Sequence, residues 1–508
     1  MSDKIVWGIS ALHHDAALCV IRIPEEGPAF LLYASHAERY SRAKNDANIH
    51  PSQIKEALAF GEPAQVYWYE DPWQKRIRWI RAGQLKTALY EEWPSRYVRA
   101  LLEPHGLRVG VTTGQHHKSH LYSVLSTNPY RHLSAPHHIN VSLIVDAIGE
   151  VQTTSLWHSA ANVTLVREEK YPRSLGLLYA SATQHLGLKP MEEEYIVMGM
   201  VAYGTRNVAV ADVLQRAYTM NLHHGFPPEI STALTALDPE GLSIAVELQH
   251  LVNRVTSEFL AERKLMDSIG LGGGVALNCL NNQYLAAQYP RIPVWVYPNA
   301  GDAGACIGAV MQHYPDRYLN WSPTSGTDLG VMPLENVKHV VSVLSQQGAC
   351  GVAHGRAEFG PRALGNRSIL ADPRIPAMKD RVNQYKNRQA FRPLAPMVLD
   401  GEYERFFDIP SNVTESARYM QVVVNATPYA RKEIPAVVHV DGTARVQIVR
   451  SNDPVYPILS EWYRRSGCPV LLNTSLNIKG EPLVNNSLDA AIFEHTVNIP
   501  VITARTPL

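Results

Sequence analysis

Short runs of Val, Ile, Leu and aromatic residues recur along the chain, and each ends in Gly, Asp or Asn before a helical pattern begins. Such runs read as strands, and the alternation reads as an α/β fold. Val6–Ile9 leads to a turn at His13–Asp15, and a second apolar run, Ala16–Ile23, follows at once, which predicts a hairpin. Val141–Val145 ends at Asp146. Ile269–Leu271 ends in Gly272–Gly273–Gly274 and leads into a helix through Leu277, Leu280 and Tyr284. Val294–Tyr297 ends at Pro298–Asp302 and leads into Ala305–Val310. In open α/β sheets ligands sit beyond the carboxyl ends of strands, so these segments deliver polar residues to a ligand-binding edge.

The 508 residues suggest two to four domains, at roughly 100–200 residues each. The turn-rich segment Trp321–Pro333 predicts a linker, dividing the chain into residues 1–333 and 334–508. A weaker break falls near 223–239. Neither an internal repeat nor a low-complexity tract is visible.

Composition then narrows the chemistry. Lys plus Arg equals Asp plus Glu at 47 each, so overall charge does not steer the protein to nucleic acid or an anionic membrane. The five cysteines, Cys19, Cys279, Cys306, Cys350 and Cys468, have neither C-x-x-C spacing nor the pattern of a disulfide framework. The first residues do not read as a signal peptide, and no apolar run reaches about 18 residues. The expectation is a soluble, cytoplasmic protein. Its 21 histidines direct attention to metal and proton chemistry.

Histidines His116 and His120, in QHHKSHL, are four apart, so a helix places both rings on one face. His117 points elsewhere. Asp146 and Asp302 each follow an apolar strand, where a carboxylate needs a cation or hydrogen bonds. Two His with two Asp form a mixed site suited to Fe(II), Mn(II) or Zn(II). The plainer alternative is satisfied histidines, with each Asp capping the next turn.

Glycines in LGGGVALN and PNAGDAGACIG permit close backbone approach to a phosphate, or merely close packing. A P-loop is absent. In the C-terminal part, GRAEFGPRALGNRSILADPR carries Arg356, Arg362, Arg367 and Arg374, and Lys386, Arg388 and Arg392 follow. Arginine forks between turn glycines suit anion recognition, against the alternative of a solvated basic face. Asn473 and Ser475 could donate to an oxyanion or a carbamoyl group, or form a plain turn. Between Trp68 and Trp93, Lys75, Arg76, Arg78, Arg81 and Lys86 interleave with Trp73 and Trp79. That pattern suits phosphate tracking and base stacking, or an amphipathic helix with aromatic residues inside and cations in solvent.

These motifs together resemble the antibiotic and nodulation-factor O-carbamoyltransferase family. The matching stretches include GISALHHDAA, HAERYSRAKND, QHHKSH, VDAIGE, SLGLLYASATQHLG, EYIVMGMVAYG, FRPLAP, DGTARVQ and LLNTSLNIKGEP, besides the two glycine turns and the arginine-rich segment. The resemblance implies a Kae1-like, actin/hexokinase-type ATPase domain followed by a YrdC-like α/β domain. It implies His116, His120, Asp146 and Asp302 as ligands of a divalent metal, Fe(II) first, with Mn(II), Zn(II) or Mg(II) as alternatives. His14 is implied as the base of the transfer site, with Asp15 beside it. Gly273, Gly274, Asn278 and Gly301 are implied at the nucleotide turns. Arg362, Arg367, Lys386, Arg392, Arg445 and Ser475 are implied around carbamoyl phosphate and ATP, with Lys386 and Arg392 catalytic.

The implied reaction forms carbamoyl adenylate and pyrophosphate from carbamoyl phosphate and ATP in the C-terminal domain. The carbamoyl group then passes inside the protein to an acceptor hydroxyl in the N-terminal domain. A small natural product is the expected acceptor. Other readings are a hydroxymethylpyrimidine in DNA or a nucleotide, a tRNA threonylcarbamoyl-type transfer, and a non-catalytic ATP-binding regulator. A homodimer is left open. Two departures stand out: Ile196 replaces an expected Lys, and Ala202 an expected Pro. The interval from Gly204 to Leu271 is also short for the family.

Overall fold

In the computed structural model the described residues are 3–81, 83–130, 140–160, 162–220, 222, 226, 238–263 and 266–504. The His137–His138 and His223–His224 pairs, and nearly all of the break near 223–239, lie outside them. The chain forms two compact units, Met1–Leu32 with Ala47–Trp321, and Tyr33–Asp46 with Ser322–Leu508. The segment read as a linker groups with the second unit from Ser322 onward. Its Thr324–Asp328 is a strand paired with Arg356–Glu358, and a register shift within that pairing accompanies its turn-like composition.

The first unit contains two sheets. One uses β1 (Lys4–Ser10), β2 (Ala17–Ile23), β3 (Ala29–His36), β4 (Gln65–Trp68) and β5 (Val111–Thr113), the end of β3 from Tyr33 onward grouping with the second unit. The other uses β6 (Asn140–Val145), β7 (Gln152–Ser159), β8 (Val163–Lys170), β9 (Ser268–Gly272) and β10 (Val294–Val296). A short β11 (Leu319–Asn320) joins the first sheet beside β3. The expected hairpin is β1–β2. Val6 to Ser10 of β1 are all buried, as expected of a strand covered on both faces.

Both sheets have the same topology. The orders are β3-β2-β1-β4-β5 and β8-β7-β6-β9-β10. In each, the first strand is antiparallel to the second and parallel to the fourth, and the fourth is parallel to the fifth. The unit is thus internally duplicated, although no repeat is visible in the sequence.

Four helices matter for the site: α1 (Pro72–Arg81), α2 (His116–Thr127), α3 (Cys279–Gln288) and α4 (Asp302–Met311). Helix α2 follows β5 and α4 follows β10, so they are equivalent elements of the two halves. Each packs on the sheet of the other half, α2 on β6 and β9, α4 on β1, β2 and β4, and the two pack on each other.

In the second unit, β12 (Thr324–Asp328) pairs with β14 (Arg356–Glu358). The main strands are β13 (Ala349–Ala353), β15 (Arg367–Ala371), β16 (Ala395–Leu399), β20 (Gln447–Val449), β21 (Val470–Ser475) and β22 (Val501–Thr503), in the order β20-β16-β21-β15-β13-β22. A three-stranded sheet of β17 (Phe407–Asp408), β18 (Val424–Ala426) and β19 (Thr443–Ala444) completes it. Helices α5 (Leu334–Gln347) and α7 (Tyr456–Ser466) bury Val340, Val341, Leu344, Leu459 and Trp462 in one core with Val352, Leu370, Met397 and Leu471 of the main sheet. Between them, α6 (Met378–Tyr385) ends at Lys386.

Candidate active site

Helix α2 opens at His116, and one turn later His120 shares its face. The two Nε2 atoms are 3.1 Å apart, and both lie 2.9 Å from Asp146 Oδ2. Asp302, the first residue of α4, brings Oδ1 to 3.3 Å from His120 Nε2 and 3.5 Å from His116 Nε2. All four side chains are buried, and one ligand atom from each lies within 4.8 Å of the others. The sequence-predicted set therefore converges.

Close packing positions these donors. A Cβ on Gly308 would lie 1.6 Å from Ser119 O, and one on Gly304 only 1.8 Å from Asn299 O. The bare backbone lets α4 sit directly against α2. Ser123 Oγ then donates to Gly304 O at 2.9 Å and accepts from Gly308 N at 3.0 Å. Ser119 Oγ donates to Tyr69 O at 2.6 Å. Gly308 is thus required where α4 meets α2, and Gly304 by the carbonyl of Asn299 just before α4. Gly301 is not required sterically, since its φ is −75° and a Cβ there would meet only Leu277 Cδ1, at 4.0 Å.

Glu150, in the motif VDAIGE, is a further buried residue that spacing alone did not single out. Its Oε1 accepts from His116 N and from Asp71 N, both at 2.8 Å. A carboxylate at the start of α2 satisfies an otherwise open N–H and favours the helix dipole. His117 turns away as expected, with Nδ1 2.7 Å from Ser155 Oγ.

The cluster favours positive charge. Burial opposes protonation of His120, but the bond to Asp146 and the nearness of Asp302 outweigh it and push the ring up to about 10. His116 moves up as well, against burial, chiefly through Asp302 and then Asp146. Burial raises Asp146, yet its two imidazole partners hold it well below the usual carboxylate range. Two buried carboxylates facing two imidazoles need cationic charge among them, from protons or from a metal ion.

His14 joins the group from the β1–β2 turn. Its Nδ1 is 3.0 Å from Asp15 Oδ2 and its Nε2 3.6 Å from Asp302 Oδ2. Leu12 and Asp15 adopt left-handed φ values of 74° and 53°, and Leu12 N donates to Ala47 O at 2.7 Å. These constraints shape the turn that presents the ring.

At the glycine turn, Gly273 has φ 82° and a Cβ there would lie 2.3 Å from Val145 O. Gly274 N approaches Asp146 Oδ1 at 3.4 Å. Both glycines thus fit tightly around the end of β6. Asn278 accepts from Asn281 N as the cap of α3 and donates to Gln249 Oε1 at 2.8 Å, so both ends of its amide are engaged within the chain. Ile196 is buried in the helix Glu194–Met200.

Helix α1 departs from both sequence readings. Lys75, Arg76 and Arg78 are buried, whereas Trp73, Ile77 and Ile80 are exposed. Lys75 Nζ lies 2.6 Å from Glu70 Oε1 and 2.7 Å from Glu91 Oε1, Arg76 stacks on Trp93, and Arg78 donates to Gly149 O. Internal carboxylates, carbonyls and an aromatic face draw the cations inward. Three of the five cations are thus committed to internal partners, while Arg81 and Lys86 are exposed, and the expected burial of aromatics under solvated cations is reversed at Trp73.

In the second unit, Lys386 and Ser475 come together. The buried Lys386 Nζ reaches Ser475 Oγ at 3.1 Å, Asn477 O and Oδ1 at 2.8 Å each, and the carbonyl of Ser475. Burial first, then Arg388, Arg392 and Lys44, pull its ammonium well below the usual lysine range. Arg445 and Arg362 are half-buried, and the buried Arg445 Nε has no hydrogen-bond partner. Arg367 is engaged by main-chain carbonyls. It is fully buried and donates to the carbonyls of Asn485, His354, Gly355, Asn366 and Thr327. Asn473 is likewise committed, to Ala363 O at 3.0 Å and Gln447 Oε1 at 2.7 Å.

The first unit thus holds a buried cluster of two histidines and two aspartates, and the second a buried lysine ringed by oxygen acceptors. Comparison with known families identifies the class. Residues 91–311 match the carbamoyltransferase N-terminus model and residues 341–505 the carbamoyltransferase C-terminus model. The chain belongs to the carbamoyltransferase family and is a transferase. An uncharacterized protein of Synechocystis sp. is 28% identical over 96% of this chain and 93% of its own length. The nodulation protein NolNO of Sinorhizobium fredii is 32% identical over 74% of this chain and 60% of its own. Nodulation protein U of Azorhizobium caulinodans is 28% identical, covering 88% and 86%. Among solved structures, component A of the Acidaminococcus fermentans (R)-2-hydroxyglutaryl-CoA dehydratase aligns over 62% of this chain at 13% identity, with a TM-score of 0.36, a likeness too slight to define the fold. No described helix is long and apolar enough to cross a membrane.

Proposed function

We propose that the chain is an ATP-dependent O-carbamoyltransferase acting on a small hydroxylated acceptor. The second unit, read as YrdC-like, takes carbamoyl phosphate, water and ATP to carbamoyl adenylate: water releases phosphate and carbamate, and a carbamate oxygen then displaces pyrophosphate from the α-phosphorus of ATP. The first unit, read as a Kae1-like, actin/hexokinase-type domain, moves the carbamoyl group to the acceptor hydroxyl, with AMP leaving and the hydroxyl proton passing to a base. Its duplicated sheet order supports that reading of the fold.

The convergence of His116, His120, Asp146 and Asp302, with His14 alongside, carries the proposal. A divalent cation fits the donor set, since the four donors are buried, mixed in type and face one another. When bound, it supplies Lewis-acid polarisation of the carbamoyl oxygen and charge for the adenylate phosphate. Asp146 and Asp302 fix the two imidazoles, and Glu150 anchors the helix that carries them. Asp15 orients His14 through Nδ1, leaving Nε2 to take the acceptor's hydroxyl proton.

Incubation of the protein with ATP and carbamoyl phosphate tests the first half-reaction. Pyrophosphate should appear only when both are present, and none above background overturns the proposal. A mass-spectrometric screen of hydroxylated acceptors then reads the second half-reaction.

A further inference from the structure

We propose that a cleft at β8 in the first unit, which shares no residue with the histidine–aspartate cluster, binds a small monocarboxylate that also carries a hydroxyl or ammonium group. Three parts of the unit enclose it: β8 and the residues just after it, the C-terminal end of the helix Val208–Ala217, and the last turns of the helix Pro239–Leu260. Its volume is about 220 Å³. Tyr218 points to a ligand there. It lines the cleft and is only 6% exposed, yet its hydroxyl has no hydrogen-bond partner among the described residues. Burial first, then Glu169, push the phenol up to about 12, so it keeps its proton and can donate. An enclosed donor without a partner is a standing cost that a bound acceptor removes.

Arginines supply the other donors. A guanidinium has five N–H groups. Arg167 gives one to Glu262 Oε1 at 3.0 Å, while Arg254 gives one to Glu258 Oε1 at 2.9 Å and one to Gln215. Arg173 lies 3.5 Å from Glu169 as an ion pair, and its guanidinium makes no hydrogen bond among the described residues. Most of these N–H groups are therefore open. The Arg167 guanidinium also lies over the Phe259 ring, 4.1 Å from its centre, which fixes its plane. Planar N–H forks of this kind match a carboxylate. Three guanidiniums and two carboxylates line the cleft, a surplus of one positive charge that one ligand carboxylate neutralises. A second anionic group would meet Glu169 and Glu258, whose oxygens accept a hydroxyl or ammonium donor instead.

Calorimetric titration of the full chain tests this with two probes, shikimate as a hydroxylated monocarboxylate and leucine as an amino acid. The parent should bind at least one, and the tighter of the two tells a hydroxyl from an ammonium as the second contact. Tyr218→Phe should weaken that binding by about tenfold, as expected for loss of a hydrogen bond to a charged group. Its unfolding midpoint should stay at the parent's, because the hydroxyl serves no internal partner. Arg254→Gln should weaken binding by about tenfold or more and still fold, since an exposed ion pair four residues apart on a helix adds little stability. The methyl ester of the bound probe, which lacks the negative charge, should bind at least about tenfold more weakly than the acid. Binding of neither probe by the parent, an affinity within about twofold of the parent's in either variant, or equal binding of acid and ester overturns the proposal.

Discussion

The crossing of α2 and α4 sets the spacing of the metal-type donors, and Gly308→Ala tests it. An added Cβ would lie 1.6 Å from Ser119 O, 2.6 Å from Ser119 C and 2.8 Å from Ser123 N. Ordinary contact begins near 3.4 Å, and 3.4 minus 1.6 leaves a separation of about 1.8 Å for the helices to find. All three neighbours are backbone atoms, so no side-chain rotation relieves the clash. Overpacking costs about 1–3 kcal/mol, and loss of the two Ser123 bonds adds about 1 kcal/mol each, for roughly 3–5 kcal/mol in all. The same movement would carry Asp302 away from His120, taking the 3.3 Å separation to about 5 Å at full displacement, beyond a shared ligand sphere. Guanidinium unfolding followed by tryptophan fluorescence reads the first effect, and elemental analysis of the purified protein reads the second. Gly301→Ala is the matched control. Its Cβ finds open space, so only the capping preference is lost, within about 1 kcal/mol. A Gly308→Ala protein with the parent's unfolding midpoint and metal content would refute the packing argument.

Asp146→Asn should lower bound metal by about tenfold or more on elemental analysis. A chelator should abolish transfer to the acceptor while leaving carbamoyl-phosphate-dependent pyrophosphate formation intact. His354 is buried, its ring donates from Nε2 to Gly365 O at 3.0 Å, and it is lowered to about 4, first by burial and then by Arg367. Its folded value lies below the unfolded one, so its contribution is complete above pH 6.5 and is lost as pH falls toward about 4. At about 1.4 kcal/mol per unit this amounts to about 3 kcal/mol, which His354→Gln should remove from the pH dependence of unfolding. Parallel pH profiles for the two proteins would contradict this. Arg367→Lys should destabilise the second unit by about 3 kcal/mol or more, because one ammonium cannot serve five carbonyls; an unchanged unfolding midpoint with weaker ATP binding would instead return Arg367 to a ligand role.

Local rules reached the chemistry further than they reached the packing. The four-residue spacing of His116 and His120 and the strand-end positions of Asp146 and Asp302 each follow from element geometry, so the cluster was legible once strands and helices were. His14 became legible through its place in a hairpin turn. Arg367 was not, since its neighbours are main-chain carbonyls that leave no trace in residue identity. Helix α1 misled for a related reason. Its amphipathic pattern is real, but partners brought from Glu70, Glu91 and Gly149 turned the charged face inward. Segment Tyr33–Asp46 was assigned by sequence position, whereas Arg42 and its long-range bonds decide where it packs.

The duplication of the first unit explains why donors so distant in sequence meet. Helices α2 and α4 are equivalent, each following the fifth strand of its half and packing on the other's sheet. The turn bearing His14 and Asp15 lies between β1 and β2, and Asp146 begins the turn between the corresponding strands β6 and β7. The ligand set and its neighbouring base thus come from two pairs of equivalent positions, gathered where the halves meet. The backbone is repeated there and the side chains are not. One half contributes two imidazoles from its helix and a third from its turn, while the other contributes a carboxylate from each. That division places opposite charges across the junction without putting four like groups together. It also requires small residues at the helix crossing, and Ser119 and Ser123 face Gly304 and Gly308 there. The close approach that joins the halves is therefore the same feature that sets the donor separations.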